Sequence, residues 1–430
     1  MTARDFALLE LDRRALPNWP ANSIRPDRRP TGDVADPRDR ALGERIYIGV
    51  VKNLLRLQHL LVHYSHRPLH KIEPLVQKIA CVGLQQIGYL DQVPAAAAVD
   101  EAVKQAKALG VASSASFLNA VLRNATREPP PAEPTDPRRY ADRVLSHPPE
   151  LFDRYVQLVG GDVEQAKRLC AHANAEPPTI VRLFAGVDPK QLETAQDVAV
   201  NPHEQPGLFV ARGAKQPVLA EWAVRALAQV QDPTAAAVAD RCDVRPGMTV
   251  LDRCAGLGTK TLQLAERAGD GGVVYAVDPS VPRIEGLRQL LADRGVANVR
   301  PVNAAMLGEA PEPLPDAFDR VLVDAPCSNS GVLPRRPEAR YAQNTKTLKS
   351  LRQLQLDILN DTAPRVAVGG LLVYSTCSIW PDENDGTVGK FLKDHPAYRQ
   401  IDQAATLPSF QTDDPARYHD GGYYAVLRRE

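Results

Sequence analysis

Met248-Thr249-Val250-Leu251-Asp252 runs into Arg253-Cys254-Ala255-Gly256-Leu257-Gly258-Thr259-Lys260-Thr261, and a helical pattern follows. A short β-branched run that ends on an acid, then glycines, then a helix is the opening of a βα unit. Glycines let the backbone come close to a ligand, and the first N–H groups of a helix are free to donate to it. Many nucleotide-binding turns share this outline, so the turn fixes a fold class and leaves the ligand open.

Reading onward, Val273–Asp278, Val299–Asn303, Phe318–Asp324 and Leu371–Ser375 are further apolar runs, with helical patterns between most of them. That alternation predicts an α/β domain with a parallel, doubly wound sheet covered on both faces. Open sheets of this kind bind ligands beyond the carboxyl ends of their strands. The second strand ends on Asp278, which can accept hydrogen bonds from ribose hydroxyls. The plainer reading is a turn-capping aspartate before Pro279.

Reading backward, the texture is helical from Asp36 to about Arg127. In the stretch Ile46-Tyr47-Ile48-Gly49-Val50-Val51-Lys52-Asn53-Leu54-Leu55, followed by Leu57, Leu60 and Leu61, apolar positions recur at helical spacing, and Pro74–Ile87, Ala95–Leu109 and Ser114–Ala125 look alike. The run Glu128-Pro129-Pro130-Pro131-Ala132-Glu133-Pro134 cannot continue a helix and reads as a linker. The expected division is an all-α domain over 1–130, a mixed connecting region over 138–245 and the α/β domain over 246–430. Pro17 to Pro37, rich in proline and arginine, reads as an extended or mobile insertion.

The 430 residues balance 52 basic against 52 acidic side chains, although residues 1–150 hold 21 Lys and Arg against 17 Asp and Glu. A mild basic excess suits RNA contact, but ordinary scatter explains it as economically. No stretch approaches a membrane span, and Arg4, Asp5 and Glu10 break up the N-terminus as a signal peptide. Six cysteines without CxxC spacing argue against a disulfide framework and for the cytoplasm, where thiols stay free. His59, His63, His66 and His70 share helical spacing, yet Pro68 interrupts them and no carboxylate cluster accompanies them. They read as a solvated or RNA-facing surface, and no metal is expected.

The fourth strand ends in Asp324-Ala325-Pro326-Cys327-Ser328-Asn329-Ser330-Gly331, the fifth in Ser375-Thr376-Cys377-Ser378, with Pro381-Asp382-Glu383-Asn384 after it. These are neighbouring strands in the expected topology, so Cys327 and Cys377 converge on one cleft. A lone cysteine is usually buried and structural; two at facing strand ends are hard to explain that way.

Asp-Ala-Pro-Cys-Ser followed by Ser-Thr-Cys-Ser resembles the RNA 5-methylcytosine methyltransferases, and within them the RsmB (Sun/Fmu) family acting on small-subunit (16S) ribosomal RNA. Gln231-Asp232-Pro233, Arg336-Pro337-Glu338 and Arg340-Tyr341 extend the likeness. Asp39-Arg40-Ala41-Leu42, Val93-Pro94, Glu101-Ala102-Val103 and Phe117-Leu118-Asn119-Ala120-Val121-Leu122-Arg123 are similar to the family's NusB-like helical RNA-binding domain. Nearly the whole chain is covered.

The resemblance implies a class I, Rossmann-like methyltransferase domain that uses S-adenosylmethionine on structured RNA, working as a monomer. It implies Cys377 as the nucleophile that adds to carbon 6 of cytosine, Cys327 as the thiol that helps remove the carbon-5 proton, and Asp324 as the acid near N3. Cofactor contacts are implied at Cys254, Ala255, Gly256, Leu257, Gly258, Thr259, Lys260, Asp278 and Asp324. Only a thiolate attacks, and Lys260 is a reasonable positive charge beside Cys377.

Two departures fall on the cofactor side. The family loop reads Ala-Ala-Pro-Gly-Gly-Lys-Thr, whereas here Gly256, Leu257 and Thr259 replace the second alanine, the proline and a glycine. The family's acid after the third strand is absent from Val302-Asn303-Ala304-Ala305. Reshaped cofactor binding with intact base chemistry is expected. The alternatives are an RNA-binding assembly factor with weakened activity, and a methyltransferase acting on transfer RNA.

Overall fold

The computed structural model describes residues 1–193 and 197–430. Two compact units emerge, one of residues 1–175 with 336–344, the other of 176–335 with 345–430.

The first unit is helical. Its helices are α1 (Ala3–Asp12), α2 (Pro37–Ser65), α3 (Pro74–Tyr89), α4 (Ala95–Ala108), α5 (Ala115–Arg127), α6 (Pro137–Arg143), α7 (Pro149–Leu158) and α8 (Val163–Asn174). Helix α2 starts where Asp36 caps the Arg38 N–H ahead of Pro37, and it ends at His66 in a left-handed conformation just before Arg67 and Pro68. Ile46, Val50, Leu54, Leu57 and Leu61 form its buried stripe, as their spacing predicts, against α3, which is buried along most of its length.

The proline-rich stretch over 17–37 starts at the tight turn closed by Leu16 and Trp19 and holds a 3-10 turn at Pro26–Arg28, and it is pinned rather than loose. Trp19 is buried and donates to Gln77 Oε1 at 3.0 Å, and Ile24 is buried beside it. Beneath lies a buried ion pair in which Lys78 Nζ donates to Asp12 Oδ1 at 2.9 Å, with the Pro20 carbonyl and Ser23 hydroxyl oxygen as its other acceptors. Burial works against the Asp12 charge, but Lys78 outweighs it and lowers that carboxyl's pKa.

Residues 336–344 pack within the same unit. The Arg340 guanidinium is buried and donates to the carbonyls of Lys52, Ser146, Ala173 and Pro337 and to Asn174 Oδ1. The four histidines part company: His59 and His63 ride on α2, His66 is its cap and His70 lies in a 3-10 turn. Among the described residues no cluster of three or more metal-ligating side chains occurs, and no helix is long and apolar enough to cross a membrane.

The second unit opens with β1 (Ile180–Leu183), β2 (Ala199–Pro202), β3 (Leu208–Arg212), α9 (Gln216–Val224) and β4 (Ala228–Val230), the strands making an antiparallel sheet in the order β2-β3-β1-β4. Helix α10 (Pro233–Arg241) leads into the main sheet. There β5 (Thr249–Asp252), α11 (Thr259–Ala268), β6 (Val273–Asp278), α12 (Val281–Arg294), β7 (Val299–Asn303) and β8 (Phe318–Asp324) alternate. Helix α13 (Thr345–Thr362), β9 (Val366–Thr376), α14 (Asp385–Asp394), β10 (Tyr398–Thr406) and β11 (Gly422–Arg429) complete it.

The sheet order is β10-β11-β9-β8-β5-β6-β7, and from β9 to β7 every pairing is parallel. The doubly wound reading is therefore correct for five strands. Two more, β11 and β10, join antiparallel at one edge. Strand β10 escapes the sequence because its alternation is carried by polar residues on a sheet edge. The order of winding reverses at β5, which lies between β6 and β8, so Asp252 and Asp324 end neighbouring parallel strands at the crevice where such folds bind ligands.

Candidate active site

The loop after β5 is shaped by two glycines with positive φ, Gly256 at +58° and Gly258 at +87°. A Cβ at Gly258 would stand 2.4 Å from Leu287 Cδ1 of α12, so only glycine fits there; at Gly256 space is open and only the backbone angle matters. Asp278, at the end of β6, accepts from the Gly256 N–H at 3.0 Å and the Ser280 N–H at 2.9 Å. The acid that sequence offers to a ribose is thus also the clamp that holds the loop and starts α12.

Asp252 is fully buried. One of its oxygens accepts from Thr261 Oγ1 at 2.7 Å, and Oδ1 has no hydrogen-bond partner among the described residues. Burial, with the nearby Asp324 and Asp278 carboxylates adding, pushes its pKa up to about 7. Cys254 is held inward, and burial pushes its thiol up to about 12. Leu257 projects from the loop with 65% of its surface exposed. Ala304, where the family's acid is missing, is buried, and Asn303 Nδ2 donates to the Asp278 carbonyl next to it.

An acceptor without a partner, a glycine-only loop and an acid clamped at the neighbouring strand end fit a nucleoside-bearing cofactor lying across β5 and β6. Ala255, Thr259 and Lys260 complete the loop.

Lys260, in the first turn of α11, donates to Asp324 Oδ2 at 2.6 Å, while Asp324 Oδ1 accepts from Ser375 Oγ at 2.7 Å. Burial works against the Lys260 charge. The Asp324 carboxylate, with Asp252 and Cys377 adding, outweighs it and holds the lysine above its ordinary range. The lysine that sequence placed as a cation near Cys377 is in that neighbourhood, with Asp324 as its direct partner.

Cys327 Sγ and Cys377 Sγ are 2.9 Å apart. The hydrogen bond to Cys377, then burial and the Cys377 and Glu383 charges, push the Cys327 thiol well above the usual range.

Beneath the sulfurs lies a hub that sequence reading passed over. Glu383 is fully buried and accepts from the Ser328 N–H at 2.9 Å, Ser328 Oγ at 2.5 Å, Ser378 Oγ at 2.6 Å and Gln355 Nε2 at 3.0 Å. Ser328 and Ser378 follow the two cysteines directly, so one carboxylate ties both cysteine loops together. Asn384 holds the same turn by accepting from Thr376 Oγ1 and donating to the Ser378 carbonyl. The acid-amide pair in Pro381-Asp382-Glu383-Asn384 was the available signal, but a glutamate after a strand reads as solvated until the fold buries it.

A second support reaches the same loops from the side. Asp420 accepts from Arg335 Nε at 2.7 Å and from Tyr418 OH at 2.9 Å, and its N–H donates to Asp232. Burial, with Asp420 adding, lifts Asp232 to about 7. Next to it Gly421 N–H donates to the Gly331 carbonyl and Gly331 N–H to the Cys377 carbonyl. A Cβ at Gly331 would meet the Gly421 and Cys377 carbonyls within 3 Å.

Residues 241–426 match the 16S rRNA methyltransferase RsmB/F family, and residues 21–127 match the NusB family. A ribosomal RNA small subunit methyltransferase B from Pseudomonas syringae is 32% identical over 416 residues, covering 92% of this chain and 90% of its own. A probable enzyme of the same name from Synechocystis is 31% identical over 406 residues, 90% of each chain. In fold, the chain is similar to the crystal structure of PH0851, with a TM-score of 0.77 over 100% of this chain and 97% of that one at 19% identity. A methyltransferase homologue from Pyrococcus horikoshii aligns over 66% of this chain and 96% of its own, with a TM-score of 0.54 and 25% identity. A helical NusB domain, a mostly parallel methyltransferase sheet and relatives matched along almost their full length place this chain in the RsmB/F family of S-adenosylmethionine-dependent methyltransferases.

Proposed function

We propose that this chain methylates carbon 5 of a cytidine in small-subunit (16S) ribosomal RNA through a covalent adduct on Cys377. The observation that carries this reading is the contact between two thiols at adjacent strand ends. A protein that only bound RNA would have no use for that arrangement. The ribosomal substrate follows the names of the full-length relatives.

Carbon 5 of cytosine is a weak nucleophile until a group adds at carbon 6. Cys377 Sγ, its proton passed to solvent, adds there while N3 takes up a proton from solvent. The Asp324 carboxylate, oriented by Lys260 and Ser375, accepts the N3–H hydrogen bond until that proton is given back on release. S-adenosylmethionine, when bound, supplies an electrophilic methyl group for carbon 5. The loop from Cys254 to Lys260, with Asp278 clamping Gly256, would hold it. Cys327, once its own proton has passed to solvent, takes the hydrogen from carbon 5. The Cys377–carbon 6 bond then breaks, and the aromatic ring and free sulfur return. A base must leave its stack to reach such a cleft, and the helical part over 1–130 is assigned the surrounding RNA.

The test is to incubate the protein with cofactor and RNA containing 5-fluorocytidine, which blocks the last proton removal. Wild type is expected to form a stable protein–RNA adduct and Cys377→Ala none. On ordinary RNA, Cys327→Ala should accumulate adduct because release fails. Methylation by Cys377→Ala at the wild-type rate would overturn the reading.

A further inference from the structure

Asn329 stands between the two cysteines, and nothing in its sequence position announces a role. It adopts a left-handed backbone, φ +57°, which asparagine tolerates better than most residues. Its Nδ2 donates to the Cys327 carbonyl at 3.2 Å, and a carbonyl can only accept, so this bond fixes which way the amide faces. Its Oδ1 is thereby turned to Cys377, whose Sγ donates to it at 3.2 Å. An amide oxygen on a sulfur favours the S–H form, because it accepts from a thiol and repels a thiolate.

We propose that Asn329 is a positioning residue that latches Cys377 as a thiol between turnovers, so that the sulfur becomes reactive only when the carboxamide is displaced. The inference rests on Cys377 being the nucleophile. The latch suits a cleft that must open to admit a base. A free thiolate beside an exposed cofactor loop would be alkylated or oxidised, whereas a hydrogen-bonded thiol is protected. The other titratable groups around the sulfur are Cys327, Lys260, Asp324 and Glu383. They are common to the variants below, so differences between variants report on position 329.

The experiment measures carbamidomethylation of Cys377 by iodoacetamide across pH 6–9 in the full chain, read by peptide mass spectrometry. Wild type is compared with Asn329→Gly, which fits the backbone angle, and Asn329→Asp, which keeps the shape and adds charge. Asn329→Gly should react about fivefold faster at pH 7, the equivalent of one ordinary hydrogen bond, with its profile displaced to lower pH. Asn329→Asp should react more slowly, displaced to higher pH. Loss of local structure would move both variants the same way, so opposite shifts are the signature of the latch. Equal rates in all three proteins, or slower reaction in Asn329→Gly, would overturn it. The same variants are trapped on 5-fluorocytidine RNA. An adduct mapped to a sulfur other than Cys377 removes the nucleophile reading, while an adduct on Cys377 with unchanged alkylation removes only the latch.

Discussion

Lys260 Nζ lies 2.6 Å from Asp324 Oδ2, and this ion pair joins the helix after β5 to the strand end that leads into Cys327. The cofactor loop and the base-attacking loop therefore share one electrostatic link, and a change on either side is felt on the other.

Lys260→Met should leave Asp324 without its cation while keeping the side chain's bulk. Methylation is expected to fall about a hundredfold and stability by about 2 kcal/mol, less than for a fully buried pair because Asp324 is partly exposed. Single-turnover methylation and thermal unfolding check the two effects separately. An unchanged rate would mean that Asp324 needs no partner.

Glu383→Ala should disorganise both cysteine loops at once. It strands the Ser328 N–H, two hydroxyls and the Gln355 amide in a buried place, and an expected loss of about 3 kcal/mol follows. Glu383→Gln retains the shape and one acceptor oxygen, its NH2 able to donate to the two serine hydroxyls, and should recover more than half of that in urea unfolding. Adduct formation on 5-fluorocytidine RNA should track the same order.

Gly258→Ala places a methyl group against Leu287 at a backbone angle that disfavours it. Cofactor affinity should weaken by about tenfold or more, since such a residue costs on the order of 1–3 kcal/mol where it persists. Calorimetry with S-adenosylmethionine measures this.

Asp232 and Asp252 both carry folded-state pKa values raised to about 7 from an ordinary 3.8. Between about pH 4 and 7 the folded chain holds protons that the unfolded chain has lost. Their contribution to stability is complete below that window and disappears as pH rises through 7. Asp252→Asn, a mimic of the neutral acid, should flatten the fall in melting temperature between pH 5 and 8 by about half, with Asp232 supplying the rest. A slope identical to wild type would show that Asp252 is ionised in the fold.

The five parallel strands were legible because strands buried on both faces read as apolar runs, and their carboxyl ends carried Asp252, Asp278, Asp324 and Cys377 in order. The α2 stripe was legible for the same reason, since its period is local. The edge strand β10 was not, because solvent lets its residues be polar.

Sequence by itself determined which residue types stand at the strand ends, because residue type and position along the chain are local properties. Only the tertiary structure decided what those groups touch: Lys260 on Asp324, Glu383 under both cysteine loops, Asn329 on Cys377. The reason is that pairings across a switch point depend on how β5, β8 and β9 are placed side by side, and burial turns an ordinary glutamate or asparagine into a fixed partner once water is excluded.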